Sequence, residues 1–173
     1  MKLSVVAHHE AGHAVAAWYF GYPIDYVTIE PAEDFACRCI ASPVYGEGFT
    51  PETVVEPEQS ARVLQAIDVC FAGHEAEAVF TGRQNWAGSR RDRQIAVDLA
   101  SYLGGPSEEI AALLKWRRIR TRGFVVTYTA EIDAVAEALL ERTRLTGNEV
   151  RVAINSALSR RSTPRHVENK GSR

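Results

Sequence analysis

Apolar residues repeat with helical spacing over most of the chain and alternate with polar residues over only a short part of it. The first apolar segment predicts a helix that is capped by Ser4 and runs to about Phe20. Helical spacing returns later and predicts further helices over about 58–80, 89–103, 107–120, 130–145 and 148–159. We expect Ser89 and Asp92 to begin the third helix in the manner of a capping box.

Two short segments after the first helix have strand character. Residues 25–30 alternate polar and apolar side chains, residues 36–42 do so less regularly, and the Gly- and Pro-containing segment 43–57 predicts a loop. The expected fold class is α+β and mostly α-helical, with a small β-sheet beside the first helix and a C-terminal helical bundle. We expect one domain over residues 1–159, followed by a basic, flexible tail at 160–173.

Bulk composition narrows the class of protein. The 173 residues fit one domain, and 46% hydrophobic with 24% charged residues indicates a globular chain. A net charge of -2 gives no reason to expect nucleic-acid binding, and no apolar run approaches the ~20 residues needed for a membrane span. The chain has three cysteines, Cys37, Cys39 and Cys70, and no C-x-x-C pair. This favours reduced thiols and a cytoplasmic protein.

One segment is strongly basic. Residues 115–122 hold five positive charges and a tryptophan, and with Arg160, Arg161 and Arg165 they could form a patch for nucleic acid or a partner. We favour the simpler interpretation, a solvated helix face whose Trp116 and Ile119 point into the core.

The richest chemistry lies in the first predicted helix, which contains His9-Glu10-Ala11-Gly12-His13, an H-E-x-x-H motif. Residues four apart share one face of a helix, so both imidazoles can take the same zinc ion. Glu10 is then placed to act on a water at the metal. The alternative is that the helix carries two histidines and an acid by chance. The small, apolar residues around the motif make this alternative less favoured.

Two histidines need a third protein ligand to complete a catalytic zinc site. The residues alone leave several candidates open, namely His74, Glu75, Glu77, Asp92 and Asp98. Each also has an ordinary interpretation, since Asp92 can cap its helix, Glu75 and Asp98 can be solvated, and a lone His74 is usually a surface residue.

Several segments in order resemble one family. His9 to Ala14 matches the HEAGHA signature of the FtsH-type zinc peptidase domain (peptidase family M41), and segments 26–31, 71–77 and 87–92 are similar to further motifs of that domain. The resemblance covers about residues 4–155. Arg91 and His74 depart from it, because the family has asparagine and arginine at those positions.

The resemblance implies specific roles. His9, His13 and Asp92 would hold one Zn²⁺ per chain, Glu10 would be the general base, and Glu77 would orient a histidine without being a ligand itself. The strand residues beside the cleft would bind an extended peptide through its main chain; these residues are Ala36, Cys37, Arg38, Cys39 and Ile40.

The implied function is a zinc metalloendopeptidase that acts on peptides or unfolded protein segments. The family's ATPase module and membrane anchor have no counterpart in this sequence, so we expect a stand-alone, ATP-independent enzyme. A separate ATPase or adaptor chain could deliver substrates, and a homo-oligomer is allowed. The alternative function is a non-catalytic regulatory or binding module that retains the fold and the zinc site.

Overall fold

The computed structural model describes residues 2–30, 38–41, 57–84 and 89–162. Within them the elements are α1 (Leu3–Tyr19), β1 (Ile24–Thr28), β2 (Arg38–Ala41), α2 (Pro57–Thr81), α3 (Arg90–Ser101), α4 (Ser107–Thr127), α5 (Thr129–Arg142), β3 (Arg144–Thr146) and α6 (Gly147–Ser162). Helices dominate and the sheet is small, which confirms the predicted mostly helical α+β class.

Helix α1 lies in the middle of the fold and packs against α2 on one side and α5 on another. Every residue from Ala7 to Ala17 is buried, as expected for a helix that is apolar on most of its circumference. Gly12 allows the close crossing of α2, because a Cβ at this position would lie 2.5 Å from the Ala72 carbonyl oxygen. The H-E-x-x-H motif therefore lies in the buried middle of α1.

A second apolar cluster joins α2 to α3 and is bordered by side chains of α4. Its buried members are Val63, Ala66, Ile67, Phe71, Ala96, Leu99 and Ala100. This cluster holds the second half of α3 against α2, and it leaves the first turn of α3 near α1.

The described sheet has three antiparallel strands in the order β2-β1-β3. Strand β3 was not predicted, and the expected helix over 130–145 ends earlier, at Arg142. Thr143 adopts a left-handed backbone with φ of 60°, and Leu145 then pairs with Val27. Leu145 continues the apolar helical spacing, so the local pattern alone could not reveal this pairing.

Other predicted helix boundaries also shift. Lys2, not Ser4, is the N-cap of α1, and the Ser4 carbonyl accepts a hydrogen bond of 2.7 Å from Nδ1 of His8. Helix α4 extends to Thr127, and α6 extends to Ser162. The flexible tail was predicted over 160–173, but residues 160–162 belong to α6, and 163–173 lie outside the described residues.

Helix α4 presents different residues to the core from those we expected. Arg117, Thr121 and Val125, spaced by four, are its buried residues. Trp116 is 48% exposed and Ile119 is 62% exposed, so the prediction that they point into the core is wrong. The guanidinium of Arg117 can be buried because the carboxylate of Asp68 pairs with it. Among the helices described, none combines the length and the apolar character that a membrane span requires.

Candidate metal centre

Three side chains from two helices converge on one point. His9 and His13 come from the middle of α1, and Asp92 comes from the first turn of α3. His9 Nε2 lies 3.1 Å from His13 Nε2 and 3.2 Å from Asp92 Oδ2, and His13 Nε2 lies 3.6 Å from the same oxygen. Within the described part of the chain, these residues form a group whose ligand atoms could hold one metal ion.

These separations fit the geometry of zinc. Bonds of about 2.0–2.1 Å in a tetrahedron place neighbouring ligand atoms about 3.3–3.4 Å apart. The three separations in the structure, between 3.1 and 3.6 Å, lie on both sides of that value. Two imidazole nitrogens and one carboxylate oxygen are also a donor set that suits zinc and leaves a fourth position open.

Helix α2 provides a hydrogen-bond acceptor for the far side of His13 and a nearby carboxylate for the far side of His9. Nδ1 of His13 donates to the Val69 carbonyl oxygen at 2.7 Å. Nδ1 of His9 lies 3.6 Å from Oε2 of Glu77, a buried carboxylate. A proton on each Nδ1 leaves the Nε2 lone pair directed toward the shared point, which is the tautomer that a metal ligand needs.

Gly73 makes room for the second histidine. A Cβ on Gly73 would overlap Nε2 of His13 and would lie 2.7 Å from Cδ2 of the same ring. Such distances are not tolerated between unbonded atoms, so only glycine allows this imidazole to occupy its position beside α2.

The site is electrostatically suited to a cation. Burial alone would lower the pKa of His9, but the carboxylates of Asp92, Glu77 and Glu10 outweigh it and raise the pKa to about 10. His13 shows the same balance, since burial opposes its charge and Asp92 raises its pKa overall. For Asp92, burial is outweighed by the two histidines, which hold the pKa of its carboxyl well below the usual range. The same excess of negative charge would favour a metal cation held by the three side chains.

Glu10 is buried in the same part of α1, with 6% of its surface exposed. Its negative charge helps to raise the pKa of both His9 and His13. The neighbouring His8 faces elsewhere, because its Nε2 lies 3.3 Å from Asp133 and its ring stacks on Phe80. Of the histidines in α1, two therefore belong to the cluster.

The structure separates the five candidates for a third ligand. The carboxylate of Asp92 reaches both histidines, and that of Glu77 approaches the opposite side of His9. Asp98 is exposed and accepts a hydrogen bond of 2.9 Å from Gln94. Glu75 is fully buried and pairs with Arg118 at 2.9 Å, so the interpretation of Glu75 as a solvated residue is wrong.

Two further expectations about this region are also wrong. His74 is 1% exposed rather than a surface residue, and its Nδ1 lies 3.1 Å from Oγ of Ser89. Ser89 is the N-cap residue of α3 by its backbone, but it makes no side-chain cap hydrogen bond. The predicted capping box of Ser89 and Asp92 is absent because both side chains are directed to other helices.

The predicted substrate strand is described only in part. Ala36 and Cys37 lie outside the described residues, and for Arg38, Cys39 and Ile40 the backbone alone is described. These three residues belong to β2, which pairs with β1, forms one edge of the described sheet and lies against α1.

The contacts from α2 could not be anticipated from the residue types. The Val69 acceptor is a backbone carbonyl, which leaves no signature in the sequence. Gly73 and His74 are neighbours in the chain, but Gly73 lies against His13 of α1 and His74 contacts Ser89 at the start of α3. These different contacts arise only from the way the three helices cross.

Comparison with known proteins supports a distant relationship to FtsH-type proteases. No family model matches the chain. The chain is 27% identical over 181 positions to the ATP-dependent zinc metalloprotease FTSH 9, chloroplastic/mitochondrial, of Oryza sativa subsp. japonica. It is 24% identical over 182 positions to the mitochondrial inner membrane m-AAA protease component yta12 of Schizosaccharomyces pombe.

The matched region is most of this chain but a small part of each relative. The two matches cover 89% and 85% of this chain but 22% of each relative. The chain therefore spans about a fifth of the length of the curated relatives that it matches. The likeness concerns one part of those proteins, and that part corresponds to nearly all of the chain.

Proposed function

We propose that this chain is a zinc metallopeptidase domain that binds one Zn²⁺ and hydrolyses peptide bonds in unfolded segments or short peptides. The proposal includes a hydrolytic step that needs no ATP. The observation that carries it is the convergence of His9 Nε2, His13 Nε2 and Asp92 Oδ2 within 3.1–3.6 Å. The distant relationship to FtsH-type proteases supports the same reaction class.

Each residue of the site has a distinct task in this proposal. His9, His13 and Asp92 hold the ion, while Glu77 and the Val69 carbonyl keep the two imidazoles in the ligating tautomer. When bound, zinc supplies Lewis-acid chemistry that polarises the peptide carbonyl and makes water more acidic.

Glu10 performs the proton transfers. Its carboxylate removes a proton from the water that attacks the carbonyl carbon, and the hydroxyl becomes part of the new carboxyl group. As the C–N bond breaks, Glu10 returns that proton to the nitrogen of the departing amine. The burial of Glu10 and its charge beside both histidines support this role.

Strand β2 is the proposed platform for the substrate. An extended peptide would bind residues 36–40 through main-chain hydrogen bonds, and residues 38–40 of this segment form an edge of the described sheet. The position of β2 at the edge of the described sheet and its closeness to α1 support this proposal.

The wider setting of the enzyme is part of the same proposal. We place the peptidase domain at residues 1–159 and the protein in the cytoplasm, with a separate ATPase or adaptor chain, or a homo-oligomer, as its partners. The rice relative is ATP-dependent by name, which motivates the search for a separate ATPase.

The test combines metal analysis with cleavage of unfolded casein and a peptide library, each with and without ATP. We expect one zinc per chain and cleavage that does not require ATP. Glu10→Gln should keep the zinc and lose about 100-fold or more in rate, because a general base contributes about that much. Glu137→Gln, the same change at an exposed position of α5, is the matched control and should leave the rate unchanged.

Two results would contradict the proposal in different ways. Zinc binding with equally negligible cleavage by the wild type and Glu10→Gln would favour a non-catalytic binding module. A wild-type protein that binds no zinc would remove the basis of both functions.

A further inference from the structure

The first turn of α3 holds Asp92 in place, yet the apolar contacts of α3 lie further along the helix. The buried residues of α3 are Ala96, Leu99 and Ala100, which pack on α2. Arg90, Arg91 and Arg93 in the first turn are exposed. The apolar core alone therefore does not account for the position of Asp92.

A buried polar contact lies at the start of this turn. Ser89, immediately before α3, is 2% exposed, and its Oγ is 3.1 Å from Nδ1 of His74 on α2. The Ser89 carbonyl oxygen also accepts the N–H of Arg93 at 3.1 Å, so Ser89 is part of the first helical turn. A side chain that fixes Ser89 thus fixes the turn that carries Asp92.

We propose that His74 is a positioning residue, which acts through Ser89 to fix the start of α3 and so brings Asp92 to His9 and His13. This inference rests on the zinc-binding part of the proposed function. His74 touches neither the ion nor the substrate in this scheme. A carboxylate must be held to within about 0.5 Å to complete a metal site, which is why such a contact matters.

The segment 73–77 of α2 then has three positioning tasks. Gly73 makes room for His13, His74 holds Ser89, and Glu77 approaches His9. The two ligand-bearing helices, α1 and α3, are thereby set relative to one another by the same turn of a third helix.

The test measures zinc affinity by competition with a chelator. Ser89→Ala and His74→Leu should each weaken zinc binding by about 10–100-fold, the usual cost of losing a contact that orients a ligand. His74→Asn keeps a polar atom near the position of Nδ1 and should restore affinity to near the wild-type value. Ser101→Ala, the same change at the exposed far end of α3, is the matched control and should have no effect.

A double-variant cycle tests whether Ser89 acts through Asp92. In an Asp92→Asn background, Ser89→Ala should cause little further loss of affinity. Hydrogen exchange of the metal-free protein supplies a second readout, in which Ser89→Ala should speed exchange at the Arg93 amide but not in the middle of α1. Since Ser89→Ala is a mild change, the test does not depend on whether His74→Leu folds.

The outcomes distinguish this inference from the proposed function. A wild type that binds zinc, with Ser89→Ala equal to Ser101→Ala, overturns the inference alone. An equal loss from Ser89→Ala in both backgrounds also overturns it, because Ser89 would then act independently of Asp92. A wild type without zinc affinity overturns the proposed function and the inference together.

Discussion

Two polar clusters border α2, and they differ in where their positive charge comes from. In the first, which we call the closed cluster, Arg117 of α4 donates to both carboxylate oxygens of Asp68 and, at 3.2 Å, to the Leu64 carbonyl. The Thr121 hydroxyl donates to the same carboxylate at 3.1 Å. The protein therefore supplies both charges of this cluster.

The second, the open cluster, consists of His9, His13 and Asp92. Oδ2 of Asp92 lies 3.2 and 3.6 Å from the two Nε2 atoms, and those imidazoles become cationic only when they take protons from solvent. Under the proposed function, a zinc ion would supply the positive charge of this cluster in place of those protons. The comparison teaches that a buried carboxylate paired with arginine joins helices through charges that the protein supplies, whereas a partly buried carboxylate beside histidines leaves room for an external cation.

The largest expected effect concerns the closed cluster. Arg117→Met would leave the Asp68 carboxylate buried without its main partner and should destabilise the fold by about 3–5 kcal/mol. Urea denaturation measures this change. The zinc affinity per folded molecule should be unaffected, since the open cluster has its own contacts.

Arg120→Met is the matched control for that variant. Arg120 is exposed on the same helix, lies over the Trp116 ring at 5.4 Å and acts on Asp68 only as a charge through space, so its replacement should change stability by about 0.5 kcal/mol. If the two methionine variants were equally stable, the closed cluster would not have the structural role assigned to it.

A smaller effect is expected from crowding the open cluster. Gly73→Ala should weaken zinc binding by about tenfold or more, because the new Cβ would displace the His13 ring from its position. Chelator competition measures the affinity. Gly123→Ala in α4 is the control, because its Cβ would meet nothing within 4 Å and alanine should stabilise this helix by about 0.5–1 kcal/mol. Unchanged zinc affinity in Gly73→Ala would show that the site tolerates a displaced His13.

The features of the fold and the site that could be predicted are those that depend on residues close together in the sequence. The helix that contains His9 and His13, and their common face, follow from spacing within one segment. Strand β3 does not, because Leu145 becomes a strand residue only through its pairing with Val27 far away in the chain. The third ligand was ambiguous for the same reason, and the family resemblance, not the residues themselves, selected Asp92.

Burial of polar residues was the hardest feature to predict. His74, Glu75 and Arg117 are types usually found at the surface, and each is enclosed here with a polar partner from another helix. The type of a residue indicates how often it is buried in proteins in general. Which polar partner makes its burial possible depends on how the helices cross. The exposed Trp116 is the converse, since the buried Arg117 occupies the inner face of α4.

The smallest expected effect concerns an ion pair at the surface, between Glu149 and Arg142. It tests whether burial explains the large effect expected for the closed cluster. At the start of α6, the Glu149 carboxylate accepts hydrogen bonds from the Thr146 N–H at 2.8 Å and from the Thr146 hydroxyl at 2.9 Å. It also pairs with Arg142. These contacts, of which the backbone hydrogen bond has the largest effect, hold the pKa of Glu149 below its usual range.

A lowered pKa in the folded state means that the contribution of Glu149 to stability is complete above the unfolded-state value of about 4.3 and is lost as the pH falls through the folded-state value. The stability difference between wild type and Glu149→Gln in urea should thus be constant near neutral pH and should shrink in acid. A difference that is equal in acid and near neutral pH, or as large as that of Arg117→Met, would show that solvent exposure does not separate this partly exposed carboxylate from the closed cluster.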